Sequence, residues 1–163
     1  MEWFDEFTPL IRQVQDQLRS HAATVATAES CTGGLLATLL TELPGSSALY
    51  LGGVSAYANE AKVSLLGVDR TLIERCGAVS GEVAEAMALG VKRRLGSTYA
   101  LSLTGIAGPD GGTKEKPVGT VFCGFASPAG VRAIQLSLTG DRSTIRRAAA
   151  DGALRLLWSE INN

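Results

Sequence analysis

The stretch Thr24-Val25-Ala26-Thr27-Ala28-Glu29-Ser30-Cys31-Thr32-Gly33-Gly34-Leu35-Leu36-Ala37-Thr38-Leu39-Leu40-Thr41-Glu42 sets the fold class. Thr24 to Ala28 is a short strand, Gly33 and Gly34 open a tight turn, and Leu35 to Glu42 is a helix stopped by Leu43-Pro44-Gly45-Ser46. Upstream, Phe4, Phe7, Ile11, Val14 and Leu18 recur at spacings of three and four, which predicts one amphipathic helix over Trp3 to Ser20. Downstream, Leu49 to Tyr57 has a strand pattern, and Asn59 is placed to cap a helix through Leu66. Ser80 is the expected N-cap of a helix from Gly81 to Leu95, with Glu82 in its first turn and Lys92, Arg93 and Arg94 in its last. Tyr99 to Thr104 is a buried strand followed by a glycine-rich loop, Gly105 to Pro117. Val118 to Ala126 and Val131 to Leu138 form a hairpin across Ser127-Pro128-Ala129-Gly130. Ser143 is expected to cap the last helix, Ser143 to Ile161, with Ile145, Ala149, Ala153 and Leu156 on one side. Helices alternating with strands, plus one hairpin, predict a single α/β domain: a three-layer α/β/α sandwich with a mixed, mostly parallel sheet.

Composition narrows the function. The chain has 163 residues, room for one domain, and 19% are charged, compared with about 25% in typical proteins. Lysine plus arginine number 15 and aspartate plus glutamate 16, for a net charge of -1. That balance predicts no nucleic acid partner and no membrane partner. No apolar run is long enough to span a bilayer, and the acidic start at Glu2, Asp5 and Glu6 does not read as a signal peptide, so a cytoplasmic protein is expected. His21 is the single histidine, and Cys31, Cys76 and Cys123 lie far apart with no C-x-x-C pair. A metal site is therefore not expected, and any hydrolytic base should be something other than histidine. The 19 glycines, about 12% against a usual value of about 7%, gather at element ends.

Four constellations could carry chemistry. In Glu29-Ser30-Cys31-Thr32-Gly33-Gly34, a hydroxyl projects from a turn between strand and helix. There the N–H groups of the following helix would face a developing oxyanion, and Gly33 and Gly34 would let a substrate approach the backbone. The same serine also reads as a helix cap. Cys31 is the rival nucleophile, ranked below Ser30 because no imidazole partners it. In Tyr57-Ala58-Asn59-Glu60-Ala61-Lys62, burial would let Lys62 act as a base, with Tyr57 relaying a proton or orienting the lysine. Alone, a lysine at this place is more often a solvated helix residue than a base. Thr104 and Gly105 open a loop through Pro109 to Gly112 whose amides can face a carbonyl or phosphate; it lacks the P-loop pattern. Arg142, beside the last helix's start, is a natural phosphate clamp, and Arg146, one turn on, is placed to join it.

Taken together, the chain resembles the CinA C-terminal domain family, whose stand-alone members resemble nicotinamide-nucleotide amidase (PncC). The resemblance runs from about Thr24 to Trp158. It is carried by Ala28-Glu29-Ser30-Cys31-Thr32-Gly33-Gly34, Asn59-Glu60-Ala61-Lys62, Gly105-Ile106-Ala107-Gly108-Pro109-Asp110-Gly111-Gly112 and Lys116-Pro117-Val118-Gly119-Thr120-Val121, with Gly77-Ala78-Val79-Ser80 and Gly140-Asp141-Arg142 in support. Ala58 stands where the family commonly has serine.

The resemblance implies hydrolysis of the carboxamide of nicotinamide mononucleotide in pyridine nucleotide salvage. Ser30 would be the nucleophile, and Lys62 and Tyr57 its activators. Thr32, Gly33, Gly34, Thr104, Gly105, Arg142 and Arg146 are the expected substrate-binding residues. A small-molecule pyridine nucleotide is the expected ligand, no cofactor is expected, and a homo-oligomer is. Two other functions fit the same residues: a Ser-Lys amidase for another small carboxamide, and a non-catalytic nucleotide-binding or regulatory domain.

Overall fold

The computed structural model describes residues 2–163, with side chains from Phe4 onward. Two helices open the chain, α1 (Glu2–Asp5) and α2 (Thr8–Ser20), where one continuous helix was expected. Pro9 is the reason. It has no N–H to continue the ladder, so it sits in the first turn of a new helix. The predicted apolar stripe survives the break, with Ile11, Val14 and Leu18 buried along α2.

The strands are β1 (Val25–Glu29), β2 (Tyr50–Ser55), β3 (Tyr99–Gly105), β4 (Thr120–Ser127) and β5 (Gly130–Ser137). They form one sheet in the order β2-β1-β3-β4-β5. The β1–β2 and β1–β3 pairs are parallel, while β3–β4 and β4–β5 are antiparallel. Only β4 therefore runs against the other strands, as a mixed, mostly parallel sheet requires. Between the strands lie α3 (Leu35–Thr41), α4 (Asn59–Leu66), α5 (Arg70–Cys76) and α6 (Gly81–Leu95), and α7 (Arg142–Ile161) closes the chain. Among the described residues no helix is long and apolar enough to cross a membrane.

Helices cover both faces of the sheet. Leu36, Leu39, Ile145 and Leu157 join α2, α3 and α7 in one core with Val25, Leu101 and Leu103. Leu66, Ile73, Val83, Met87 and Val91 build the opposite core from α4, α5 and α6 against Ala26, Ala28 and Ala100. The period of two along β1 therefore sends Glu29 toward α3 and Ser30, the next residue, toward α4.

Two caps differ from expectation. Ala58, with extended backbone, is the residue before α4, so Asn59 begins the helix instead of capping it. The last helix starts at Arg142, because the Asp141 carboxylate accepts the Thr144 amide at 2.8 Å. An ionised carboxylate is the stronger acceptor there, and Ser143 falls inside the first turn. Ser80 does cap α6, accepting the Val83 amide. Helix α5 was not foreseen; Asp69 caps it through the Thr71 amide and Gly77 ends it eight residues later.

Candidate active site

Three chain segments meet at the carboxyl ends of β1, β2 and β3. The strand after β1 in sequence pairs on one side of it, and β3 lies on the other. The crevice between β1 and β3 is thus the switch point where open α/β sheets hold ligands. A cleft of about 280 Å³ lies there, lined by Ser30, Tyr57, Asn59, Lys62, the Gly105–Gly108 loop and Arg142 among others.

Lys62 is the buried feature of this cleft. It is 1% exposed, and its Nζ donates to Ser30 Oγ at 3.0 Å, the Ala56 carbonyl at 3.0 Å and the Tyr57 carbonyl at 3.1 Å. No carboxylate accompanies it among these partners. Burial pushes the Lys62 amine below its ordinary value of 10.5, with Cys31 acting in the opposite direction. The two carbonyls occupy two corners of the tetrahedral nitrogen and leave a third facing Ser30. In the ammonium that corner is an N–H; in the free amine it can be the lone pair, aimed at the serine proton.

The Tyr57 side chain stands elsewhere. Its hydroxyl accepts from Arg142 Nη2 at 2.9 Å, and the ring is 60% exposed. The contact between Tyr57 and Lys62 runs through the backbone carbonyl. Arg142 also donates to the Gly108 carbonyl at 2.8 Å, so its guanidinium spans the cleft mouth from α7 to both facing loops.

The turn after Ser30 departs from expectation. The amides of Gly34, Leu36 and Ala37, which would have been free at the start of α3, are held by the Glu29 carboxylate at 3.1, 3.1 and 2.8 Å. Buried Glu29 thus caps α3 from the end of β1, a favourable place for an anion. The helix start is not available to an oxyanion. Among the described residues the Thr32 amide has no hydrogen-bond acceptor, and the Cys31 amide is met only by its own thiol. Gly33 and Gly34 do not line the cleft; φ values of +62° and +104° explain their need for glycine. Thr32 is wholly buried, outside the cleft lining, and its hydroxyl has no hydrogen-bond partner among the described residues. Arg146 also moves from ligand binding to turn support, since Nε and Nη2 donate to the Cys31 and Thr32 carbonyls.

Thr104 and Gly105 do line the cleft. The Thr104 hydroxyl, however, is committed to the Ala78 carbonyl at 2.8 Å, which ties β3 to the segment before α6. Cys31 lines the cleft too, but burial pushes its thiol up to about 11, far from a neutral-pH thiolate. His21 ends α2 at the opposite end of β1 from Ser30, out of reach of it. Among the described residues no three His, Cys, Asp or Glu side chains gather as a metal cluster.

Three residues went unassigned in the sequence. Asn59 and Asp110 line the cleft. Lys116 latches the glycine-rich loop onto the wall opposite, donating to the Cys76 and Val79 carbonyls at 3.0 and 2.6 Å. All three lie in or beside the motifs quoted above, but nothing in their spacing shows which way they face.

Known proteins are similar to this chain in sequence and fold. The profile of the CinA C-terminal domain matches residues 7–161. A CinA-like protein from Synechocystis is 59% identical over 125 residues, covering 77% of this chain and 30% of the relative. A CinA-like protein from Myxococcus xanthus is 49% identical over 145 residues, covering 88% and 34%. The chain thus spans about a third of the length of these relatives. The crystal structure of the competence/damage inducible protein CihA from Agrobacterium tumefaciens superposes with a TM-score of 0.91 at 39% identity, covering 95% of this chain and 94% of that one. A CinA superfamily protein from Klebsiella pneumoniae gives 0.91 at 30% identity, covering 94% and 96%.

Proposed function

The chain belongs to the CinA C-terminal domain family, and from that premise we propose that it is an amidase: it hydrolyses the carboxamide of nicotinamide mononucleotide to nicotinate mononucleotide and ammonia. One observation carries the reading. A buried lysine with no carboxylate partner among the described residues rests its nitrogen 3.0 Å from a serine hydroxyl at a cleft. Burying an amine costs stability and lowers its proton affinity, and a lowered proton affinity is what a general base requires.

The chemistry follows from the geometry. Unprotonated Lys62 takes the Ser30 proton as Oγ bonds to the carboxamide carbon, and the carbonyl oxygen becomes an oxyanion. The Thr32 amide, which has no acceptor among the described residues, and the adjacent Cys31 amide, met only by its own thiol, supply donors to it. The Lys62 ammonium then gives its proton to the departing nitrogen, the C–N bond breaks, and ammonia leaves a nicotinoyl ester on Ser30. Water attacks that ester with Lys62 again accepting a proton, and the carboxylate product departs as Ser30 regains its hydrogen. Arg142, at the mouth, has donors left after its two observed bonds and meets the substrate phosphate. The Tyr57 carbonyl orients the lysine, and the Tyr57 hydroxyl orients Arg142.

The test is ammonia release from nicotinamide mononucleotide, nicotinamide riboside, nicotinamide and unrelated small carboxamides. The mononucleotide should have the highest kcat/KM. A preference for an unphosphorylated carboxamide would assign a different amidase, and tight mononucleotide binding without ammonia would assign a binding domain.

A further inference from the structure

We propose that Arg146 is a positioning residue, which sets the direction of the peptide joining Cys31 to Thr32 beside the nucleophile. Its catalytic consequence rests on the amidase reading above. Arg146 lies one turn along α7 from Arg142, and the two donors on one edge of its guanidinium reach successive carbonyls: Nε to Cys31 at 3.2 Å and Nη2 to Thr32 at 2.8 Å. A planar fork holds such a pair in a fixed orientation, as a lysine ammonium cannot.

Peptide planarity carries the effect onward. A trans peptide places its carbonyl and its N–H on opposite sides, so a Cys31 carbonyl pinned on Arg146 turns the Thr32 N–H away from that side chain. One peptide earlier, the Ser30 carbonyl accepts the Gly33 amide at 3.1 Å, which turns the Cys31 N–H out of the turn in the same manner. The Thr32 amide has no acceptor among the described residues, and the Cys31 amide is met only by its own thiol.

The turn is gripped from both sides by opposite charges. Glu29 takes the amides at its far end, and Arg146 takes the carbonyls at its near end. Arg146 has the only side chain that donates to the Cys31 carbonyl among the described residues. The sequence alone places Arg146 with Arg142 as a phosphate ligand; the structure gives the two arginines different tasks four residues apart.

The experiment compares Arg146→Met and Arg146→Lys with the unaltered protein, each first shown to unfold cooperatively. With nicotinamide mononucleotide and nicotinamide riboside as substrates, kcat should fall by about a hundredfold for both, the size of losing one oxyanion donor. KM should stay within about twofold, and Lys should not rescue. Amide exchange gives a readout that needs no turnover. Gly33 and Leu35, whose N–H groups close the turn onto the Ser30 and Thr32 carbonyls, should exchange at least about tenfold faster in both variants, with Leu154 in α7 unchanged. A KM rise confined to the phosphorylated substrate would make Arg146 a phosphate ligand and overturn the proposal. Unchanged exchange at Gly33 and Leu35 would overturn it as well. If the unaltered protein releases no ammonia, the amidase reading fails and the exchange rates decide the role of Arg146 separately.

Discussion

Lys62 Nζ lies 3.0 Å from Ser30 Oγ, although 32 residues separate them along the chain. The sheet closes that gap. β1 delivers Ser30 at its carboxyl end, β2 runs parallel beside it, and the first turns of α4 carry Lys62 back over the strand ends. The two carbonyls that fix the amine, those of Ala56 and Tyr57, come from the same β2–α4 connection, so the base and its orienting groups form one local unit.

That unit predicts how activity responds to pH and to charge-conserving substitution. Rate should rise with pH as Lys62 loses its proton, along a limb lying below the ordinary lysine value of 10.5. Lys62→Arg should lose at least about a hundredfold in kcat, because a guanidinium keeps the charge but does not accept the proton. Stability adds an independent reading. Because its folded pKa is lowered, the folded state binds fewer protons than the unfolded one between that pKa and 10.5, so this group makes stability rise with pH across that window. In urea titrations at several pH values, Lys62→Met should lack this part of the slope. An identical slope in both proteins would contradict a depressed Lys62.

Glu29 should matter to the fold before it matters to the chemistry. Glu29→Gln replaces an ion that accepts three amides with a neutral group, one end of which is itself a donor. A loss of about 1–3 kcal/mol follows from leaving buried donors unpaired, several degrees in Tm for a chain of this size. Thermal unfolding of the variant checks it, and an unchanged Tm would show that the three bonds contribute little.

Arg142→Ala should discriminate between substrates. A charge-assisted bond to phosphate contributes about 1.5–3 kcal/mol, so KM for nicotinamide mononucleotide should rise by roughly one to two decades. The riboside should be nearly indifferent. Tyr57→Phe should be milder, since it removes one support of Arg142 while keeping the carbonyl that holds Lys62. Equal losses on both substrates would show that Arg142 braces the loops and does not bind phosphate.

The fold was legible wherever a local pattern decided it. The Val25–Glu29 strand, the Gly33-Gly34 turn and the Ser80 cap each follow from residues next to one another. The misses share a cause: a neighbour overrode a pattern. Pro9 split a continuous apolar stripe, and Asp141 took a cap from Ser143. Helix α5, at seven residues, is too short for periodicity to show. At the site, Ser30, Lys62 and Arg142 could be named because their side-chain chemistry is distinctive. The tasks of Glu29 and Arg146 could not, because each serves backbone groups, and sequence does not show which backbone atoms a charged side chain will find.

The central claim, that Ser30 is the nucleophile of an amidase, is tested most directly by one assay of ammonia release from nicotinamide mononucleotide. The proteins to compare are the unaltered chain, Ser30→Ala and Cys31→Ala. Ser30 alone has its hydroxyl on the Lys62 nitrogen, while the neighbouring thiol is buried and pushed up to about 11. Ser30→Ala should therefore abolish turnover while still binding the mononucleotide, and Cys31→Ala should keep most of the activity. A working Ser30→Ala enzyme, or a dead Cys31→Ala enzyme that remains folded, would contradict the account.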